Sequence, residues 1–223
     1  MQLNTITSRP ESSILSTNKV LRNTYLLLSM TLIFSALTAG FAMQLNLPHP
    51  GLIITLVGYF GLLFLTEKFK NSSLGLVFVF ALTGFMGLTL GPILNMYLKD
   101  FGNGSELIMI ALGGTGIIFL GLSGYALTTR KDFSFMGGFL MIGMLVGLLA
   151  GIGAIVFSMP GLSLAVSAMF VLLMSGMILF ETSAIVHGGE TNYVSATVSL
   201  YLSIYNLFLN LLQLLAEFSG ENN

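Results

Sequence analysis

The run FSFMGGFLMIGMLVGLLAGIGAIVF, Phe133–Phe157, contains no charged residue and a single hydroxyl, Ser134. A helix needs about 20 predominantly apolar residues to cross a hydrocarbon core of about 30 Å, and this run is long enough. A strand of a membrane barrel would instead alternate apolar and polar residues over about ten positions. Lipid offers backbone groups no outside partner, so an uninterrupted apolar run of this length reads as a transmembrane helix. Six more runs of the same character flank it: Tyr25–Leu45, Gly51–Thr66, Leu74–Leu98, Leu107–Thr129, Leu162–Val186 and Tyr193–Leu215. The second is short and must thin the bilayer or borrow Leu47–Pro50. The expected fold is all-α, a polytopic membrane protein built as a bundle of seven transmembrane helices.

Composition agrees. The 223 residues are 55% hydrophobic and 8% charged, against about a quarter charged in ordinary soluble domains, and the mean hydropathy is +0.92. Seven crossings leave room only for short loops. A net charge of −1 gives no basic field to recruit nucleic acid. Absent cysteine excludes disulfides, thiolate metal sites and a cysteine nucleophile. Tryptophan is absent too, so interface anchoring falls to seven tyrosines and eighteen phenylalanines. The first 22 residues are polar and lack the apolar core of a signal peptide.

Lysine and arginine set the expected orientation. Alternate segments hold Arg9, Lys19, Arg22, Lys68, Lys70, Arg130 and Lys131 on one side, and only Lys99 on the other. The positive-inside rule then places the N-terminus in the cytoplasm and the C-terminus outside. Residues 1–23 read as a flexible cytoplasmic tail, 24–218 as the seven-helix domain and 219–223 as a short external tail. No internal repeat suggests an inverted-repeat transporter. Gly143, Gly147 and Gly151 in the fifth span share one helix face, as do Gly87 and Gly91 in the third. Such small-xxx-small spacing predicts close helix packing, within the bundle or between copies.

The last span carries the most informative polar pattern. Ser195, Ser199, Ser203, Asn206, Asn210 and Gln213 recur every three or four residues and draw one stripe along one helix face. Unpaired amides and hydroxyls in lipid are costly, so the stripe faces protein or water. Interhelical bonding and an aqueous or ion path both satisfy it. Glu181 is the one acidic residue set within a predicted span, about 8 Å from the inner end of the sixth at 1.5 Å per residue. Intramembrane carboxyls default to a functional reading. Glu181, Ser199, Ser203, Asn206 and Asn210 are therefore the candidate pH-sensing or pore-lining residues, with Ser199 expected near Glu181 in depth and Ser203 a turn deeper. Calcium takes six to eight oxygen ligands, so this set suits at most a weak or transient cation. No cofactor and no resident metal is expected.

Two further motifs need weighing. Gly121-Leu122-Ser123-Gly124 together with His187 resembles the serine–histidine dyad of rhomboid intramembrane proteases. The accompanying tryptophan–arginine element cannot exist without tryptophan, and His187 opens a glycine loop. No catalytic residue is assigned. His187–Asn192 reads as the tight turn between the last two helices, with glycine supplying a positive φ and Asn192 capping the seventh helix.

Several stretches carry a resemblance far more specific than hydropathy: Leu15–Thr17, Lys19–Tyr25, Gly91-Pro92-Ile93-Leu94-Asn95, Leu127–Asp132, Leu179–Thr182, His187–Tyr193 and Ser199–Leu202. From about Ser13 to Phe218 the chain resembles the Bax-inhibitor family of seven-helix membrane proteins, and most of all its proteobacterial inner-membrane members. The resemblance implies a multi-pass inner-membrane protein with six helices around the seventh. It also implies a non-enzymatic regulator that restrains the membrane-anchored AAA+ protease FtsH as a slowly degraded client. On that reading Ser16, Thr17, Lys19 and Arg22 belong to the cytoplasmic handle. Channel-like members of the family imply an alternative, a pH-sensitive calcium or cation leak using an aspartate pair on the last two helices. The aligned positions here are Glu181 and Ser203, a carboxyl facing a hydroxyl. Where the family tends to have an arginine at the inner end of the second helix, this chain has Glu67 and Lys68.

Overall fold

A computed structural model describes residues 11–220, with side chains from residue 17 onward. It contains α1 Glu11–Gln44, α2 Leu52–Phe69, α3 Ser73–Asp100, α4 Gly104–Thr129, α5 Met136–Val156, α6 Pro160–Val186 and α7 Tyr193–Gly220. All seven are long and apolar enough to cross a membrane. No strand occurs among the described residues.

Several boundaries differ from expectation, among them the start of α1, the end of α2 and the end of α7, which runs past Leu215 to Gly220. The segment over 11–23, expected to be a flexible tail, is the first part of α1, which is already helical at Glu11. Within this segment Val20 and Leu21 pack against the buried core, which holds that part of α1 to the bundle. Residues 1–10 and 221–223 lie outside the described residues. The short second span lengthens at its C-terminal end, through Glu67 and Lys68 to Phe69, and takes nothing from Leu47–Pro50.

The turns follow from local chemistry. Proline at the first position opens α6, where a missing N–H costs no helix bond. Arg130 closes α4 in the left-handed conformation, its N–H donated to Ala126 O. Gly188 takes φ +75° just past α6, the conformation a glycine supplies at least cost.

α7 forms the axis. It touches α1, α2, α3, α4 and α6, and Leu200, Tyr201, Leu207 and Leu212 on it are almost wholly buried. The resemblance implied six surrounding helices, but five make contact. Among the described helices, α5 packs on α6 alone.

Glycine sets the closest helix pair. α3 lies against α1 along Gly84, Gly87 and Gly91, and a β-carbon at position 91 would sit 2.8 Å from the Ala39 carbonyl oxygen. Four residues on, Asn95 Nδ2 donates to the Met43 carbonyl in the last turn of α1 at 3.0 Å. The Gly91–Asn95 stretch is thus a docking device: a glycine admits the α1 backbone and an amide caps its end. On α5, Gly143 and Gly147 receive Leu173, Met169 and Phe170 of α6. Both glycine stripes serve packing within the bundle.

Gly91→Ala should lower the melting temperature in detergent, at a cost of about 1–3 kcal/mol for overpacking. Gly40→Ala, whose β-carbon meets nothing within 4 Å, should leave it unchanged or raise it slightly. Equal effects of the two would show that α1 and α3 are not held by this approach.

Candidate functional site

Successive residues of a helix point about 100° apart. Glu181, Thr182 and Ser183, consecutive on α6 and all buried, therefore reach three different neighbours. Glu181 Oε2 accepts a hydrogen bond from Ser203 Oγ of α7 at 3.0 Å. The Thr182 hydroxyl lies 3.3 Å from both Tyr25 Oη of α1 and Ser123 Oγ of α4. The Ser183 hydroxyl accepts from the Phe133 N–H at 3.0 Å and donates to the Lys131 carbonyl at 3.2 Å. One tripeptide thus ties α6 to α7, α1, α4 and the α4–α5 turn.

His187 completes the tie. Its Nδ1 lies 2.9 Å from the Ser183 carbonyl oxygen, and its Nε2 lies 3.1 Å from the Arg130 carbonyl oxygen. A neutral ring has one N–H and can serve one of these acceptors, whereas the doubly protonated ring serves both. In the α4–α5 turn, Asp132 Oδ1 accepts the Ser134 N–H at 2.8 Å. That bond, with a lesser one from the Ser134 hydroxyl, holds the Asp132 carboxyl below its usual pKa.

A second cluster closes the same end of the bundle. Asn192 Oδ1 accepts the N–H groups of Val194 and Ser195 at 2.9 and 3.2 Å, capping α7 as the turn reading expects. Its Nδ2 reaches Asn71 Oδ1 at 2.7 Å, across to the α2–α3 turn. Glu67 Oε2 accepts from Ser195 Oγ at 3.1 Å and pairs with Lys70 at 2.9 Å. The Glu67 bond holds the Lys70 ammonium above its usual pKa. With the His187 bond to Arg130, these bonds gather the α2–α3, α4–α5 and α6–α7 turns at the end of the bundle that carries Lys68, Lys70, Arg130 and Lys131, and Lys19 and Arg22 of α1.

The polar stripe of α7 divides. Ser195 and Ser203 bond to carboxylates, as above. Ser199 lies half-buried between them, without a side-chain bond among the described residues, so Ser203 and not Ser199 meets Glu181. Asn206 and Asn210 donate to their own helix, to Leu202 O and Asn206 O, each at 2.8 Å. Gln213 Nε2 reaches Ser163 Oγ of α6 at 3.0 Å. The last three amides line a cavity of about 470 Å³ that α5 closes on its far side.

Ser123 is engaged by Thr182 and His187 by Ser183 and Arg130, so the structure does not bring these two together as a dyad. Among the described residues, no three histidine, aspartate or glutamate side chains converge as metal ligands would. Of the candidate handle, Lys19 and Arg22 are exposed and Thr17 half-buried on α1. The Ser16 side chain lies outside the described ones.

A family model described as "Inhibitor of apoptosis-promoting Bax1" matches residues 17–220. The chain belongs to the Bax-inhibitor family. It is 57% identical, over 96% of its own length and 97% of the relative's, to a protein of Escherichia coli K12 named modulator of FtsH protease YccA. The same identity and coverage hold for a protein of Escherichia coli O6:H1 named inner membrane protein YccA. An uncharacterised protein of Pseudomonas aeruginosa is 55% identical over 91% of each chain. Family membership and the seven spans make this a multi-pass inner-membrane protein.

The stretches that carry the Bax-inhibitor resemblance now have physical roles. Gly91–Asn95 docks α3 on α1, while Leu127–Asp132, Leu179–Thr182 and His187–Tyr193 supply the partners of the two clusters just described. Tyr201 was missed as a bonded core residue. Its hydroxyl lies 2.7 Å from Ser35 Oγ of α1 and donates to the Thr83 carbonyl of α3 at 3.3 Å. Its place in mid-span, about 12 Å from the start of α7 at 1.5 Å per residue, was the available signal. An interfacial anchor would sit nearer a helix end.

Asn192→Ala should destabilise the protein by about 1–2 kcal/mol, the usual cost of a lost N-cap, with faster hydrogen exchange at the Val194 and Ser195 amides. Unchanged exchange there would remove Asn192 from the cap. The Asp132 carboxyl should titrate below about 3.9, the ordinary value, and Ser134→Ala should raise it only part-way because the stronger backbone bond remains. The sign follows: the stabilisation from this bond is present at neutral pH and is lost as pH falls through the depressed value. A carbon-13 carboxyl titration reads both.

Proposed function

We propose that the protein is a non-enzymatic regulator of membrane-protein quality control that binds and restrains an FtsH-type AAA+ protease as a slowly degraded client. The observation that carries this reading is the 57% identity, over nearly the whole of both chains, to a relative named as modulator of that protease. The N-terminal end of α1 supplies the handle. Lys19 and Arg22 are exposed there, on the end that also holds Lys68, Lys70, Arg130 and Lys131. By the positive-inside rule this end lies in the cytoplasm, on the side from which an ATP-driven machine engages a tail. The opposite end, with Lys99 alone, and the short segment after α7 lie outside.

A second reading, a pH-sensitive cation leak, has one observation in its favour. Glu181 is buried against Ser203, and Asn206 follows one turn further along α7. A carboxyl facing a hydroxyl lacks the strong proton coupling of two carboxyls. The regulator is therefore the stronger reading.

Reconstituted FtsH degrading a membrane client separates the two. The full chain in molar excess should slow degradation several-fold, and deletion of residues 1–19 should abolish the slowing. Glu181→Ala should preserve it. No effect of the full chain at several-fold excess, or loss of restraint only in the Glu181 variant, would overturn the regulator. Proton-dependent cation flux in liposomes, lost in Glu181→Ala, would then favour the leak.

A further inference from the structure

The cavity between α5, α6 and α7 has two chemically different walls. On the α7 side stand Asn206, Asn210 and Gln213. Each NH₂ group spends one of its two N–H bonds, on Leu202 O, Asn206 O and Ser163 Oγ respectively. The three amide carbonyl oxygens have no hydrogen-bond partner among the described residues. The wall thus keeps three free acceptors beside spare amide N–H donors, a mixed surface that a hydroxyl, donor and acceptor at once, can answer. The α5 side is apolar, with Leu148 and Ile152 more than half exposed on the membrane face, and α6 adds Val166 and Phe170 together with the Ser163 and Ser167 hydroxyls. No charged side chain lines the space.

Its depth is also defined. At 1.5 Å per residue, Gln213 lies about 10 Å from the end of α7 at Gly220, and Asn206 about 21 Å from it. The amide wall therefore runs from near the membrane interface toward the midplane. A smaller space at the α5–α6 turn shares Ile155 and Ser163 with it and continues it toward that end of the bundle.

In a bilayer this space fills with something. A bare acyl chain would leave three carbonyl oxygens unpaired in a medium without donors. Water alone would wet Leu148, Ile152 and Phe170. A phosphate or ammonium headgroup would enter without a counter-charge. Hydroxyl donors on an alkyl body satisfy both walls, and about 470 Å³ falls in the ordinary range for a small-ligand site of about 300–1,000 Å³. We propose that the α5–α7 cavity is a binding site for a neutral, hydroxyl-bearing amphiphile of the monoacylglycerol class, entered from the lipid beside α5.

The test uses the full chain in phosphatidylcholine nanodiscs, with monoolein as probe and methyl oleate as its counterpart lacking the glycerol hydroxyls. Monoolein should bind saturably at one per chain and at least tenfold more tightly than methyl oleate. Gly151→Leu, which fills the cavity from α5, and Asn210→Leu, which removes an acceptor, should each weaken it tenfold or more. Gly61→Leu on α2, where a β-carbon meets nothing within 4 Å, should leave it unchanged. Equal binding of the two probes, no saturable binding, competition by dioleoylphosphatidylglycerol at equal affinity, or binding indifferent to both cavity variants would each overturn the proposal. If either cavity variant fails to fold, the comparison of the two probes on the unaltered chain decides by itself.

Discussion

Lipid surrounds these helices with a solvent as apolar as their own side chains, so apolar burial alone cannot tell one helix which neighbour to choose. The choice falls to two kinds of contact, backbones brought close by glycine and hydrogen bonds between the few polar side chains. Both are concentrated in this protein. Gly87 and Gly91 bring α3 onto α1, and Glu181-Thr182-Ser183 ties α6 to four other parts of the bundle. Much of the remaining arrangement follows from these two joints. α7 is held at the centre through Ser203 and Tyr201, and the α4–α5 turn is held against α6 through Ser183 and His187.

This division of labour explains what the sequence made legible. Seven spans could be read from hydropathy because each crossing must satisfy its own backbone, whatever its neighbours do. The glycine faces of α3 and α5 could be read because spacing of four marks one side of a helix. The turn at His187–Asn192 could be read because a cap and a positive φ are local demands. The early start of α1 was not legible, since Val20 and Leu21 join the helix through a core built largely by residues far along the chain.

Pairings were harder, for the same physical reason. The stripe on α7 announced that Ser199, Ser203 and Asn206 face inward, but its period carries no information about the register of α6. One turn separates Ser199 from Ser203, and only contact geometry decides which of them meets Glu181. Tyr201 was opaque for a different reason: tyrosine belongs equally well at an interface and in a core that offers its hydroxyl a partner. Ser35 and Thr83, on two other helices, supply that partner.

α5 shows what happens to a helix with no polar side chain to spend. Met136–Val156 contains neither hydroxyl, amide nor charge, so nothing on it can bond to a neighbour. Its glycines let Leu173 and Phe170 of α6 approach, and α6 becomes its only partner among the described helices. It cannot answer the amides of Asn206 and Asn210 on α7, and it makes no contact with that helix. The five helices that do reach α7 each bring polar side chains to the bundle. The separation of α5 from α7 is therefore a consequence of composition: the most apolar span of the chain, the one that identifies it as a membrane protein, is also the one least able to close the core around the polar helix.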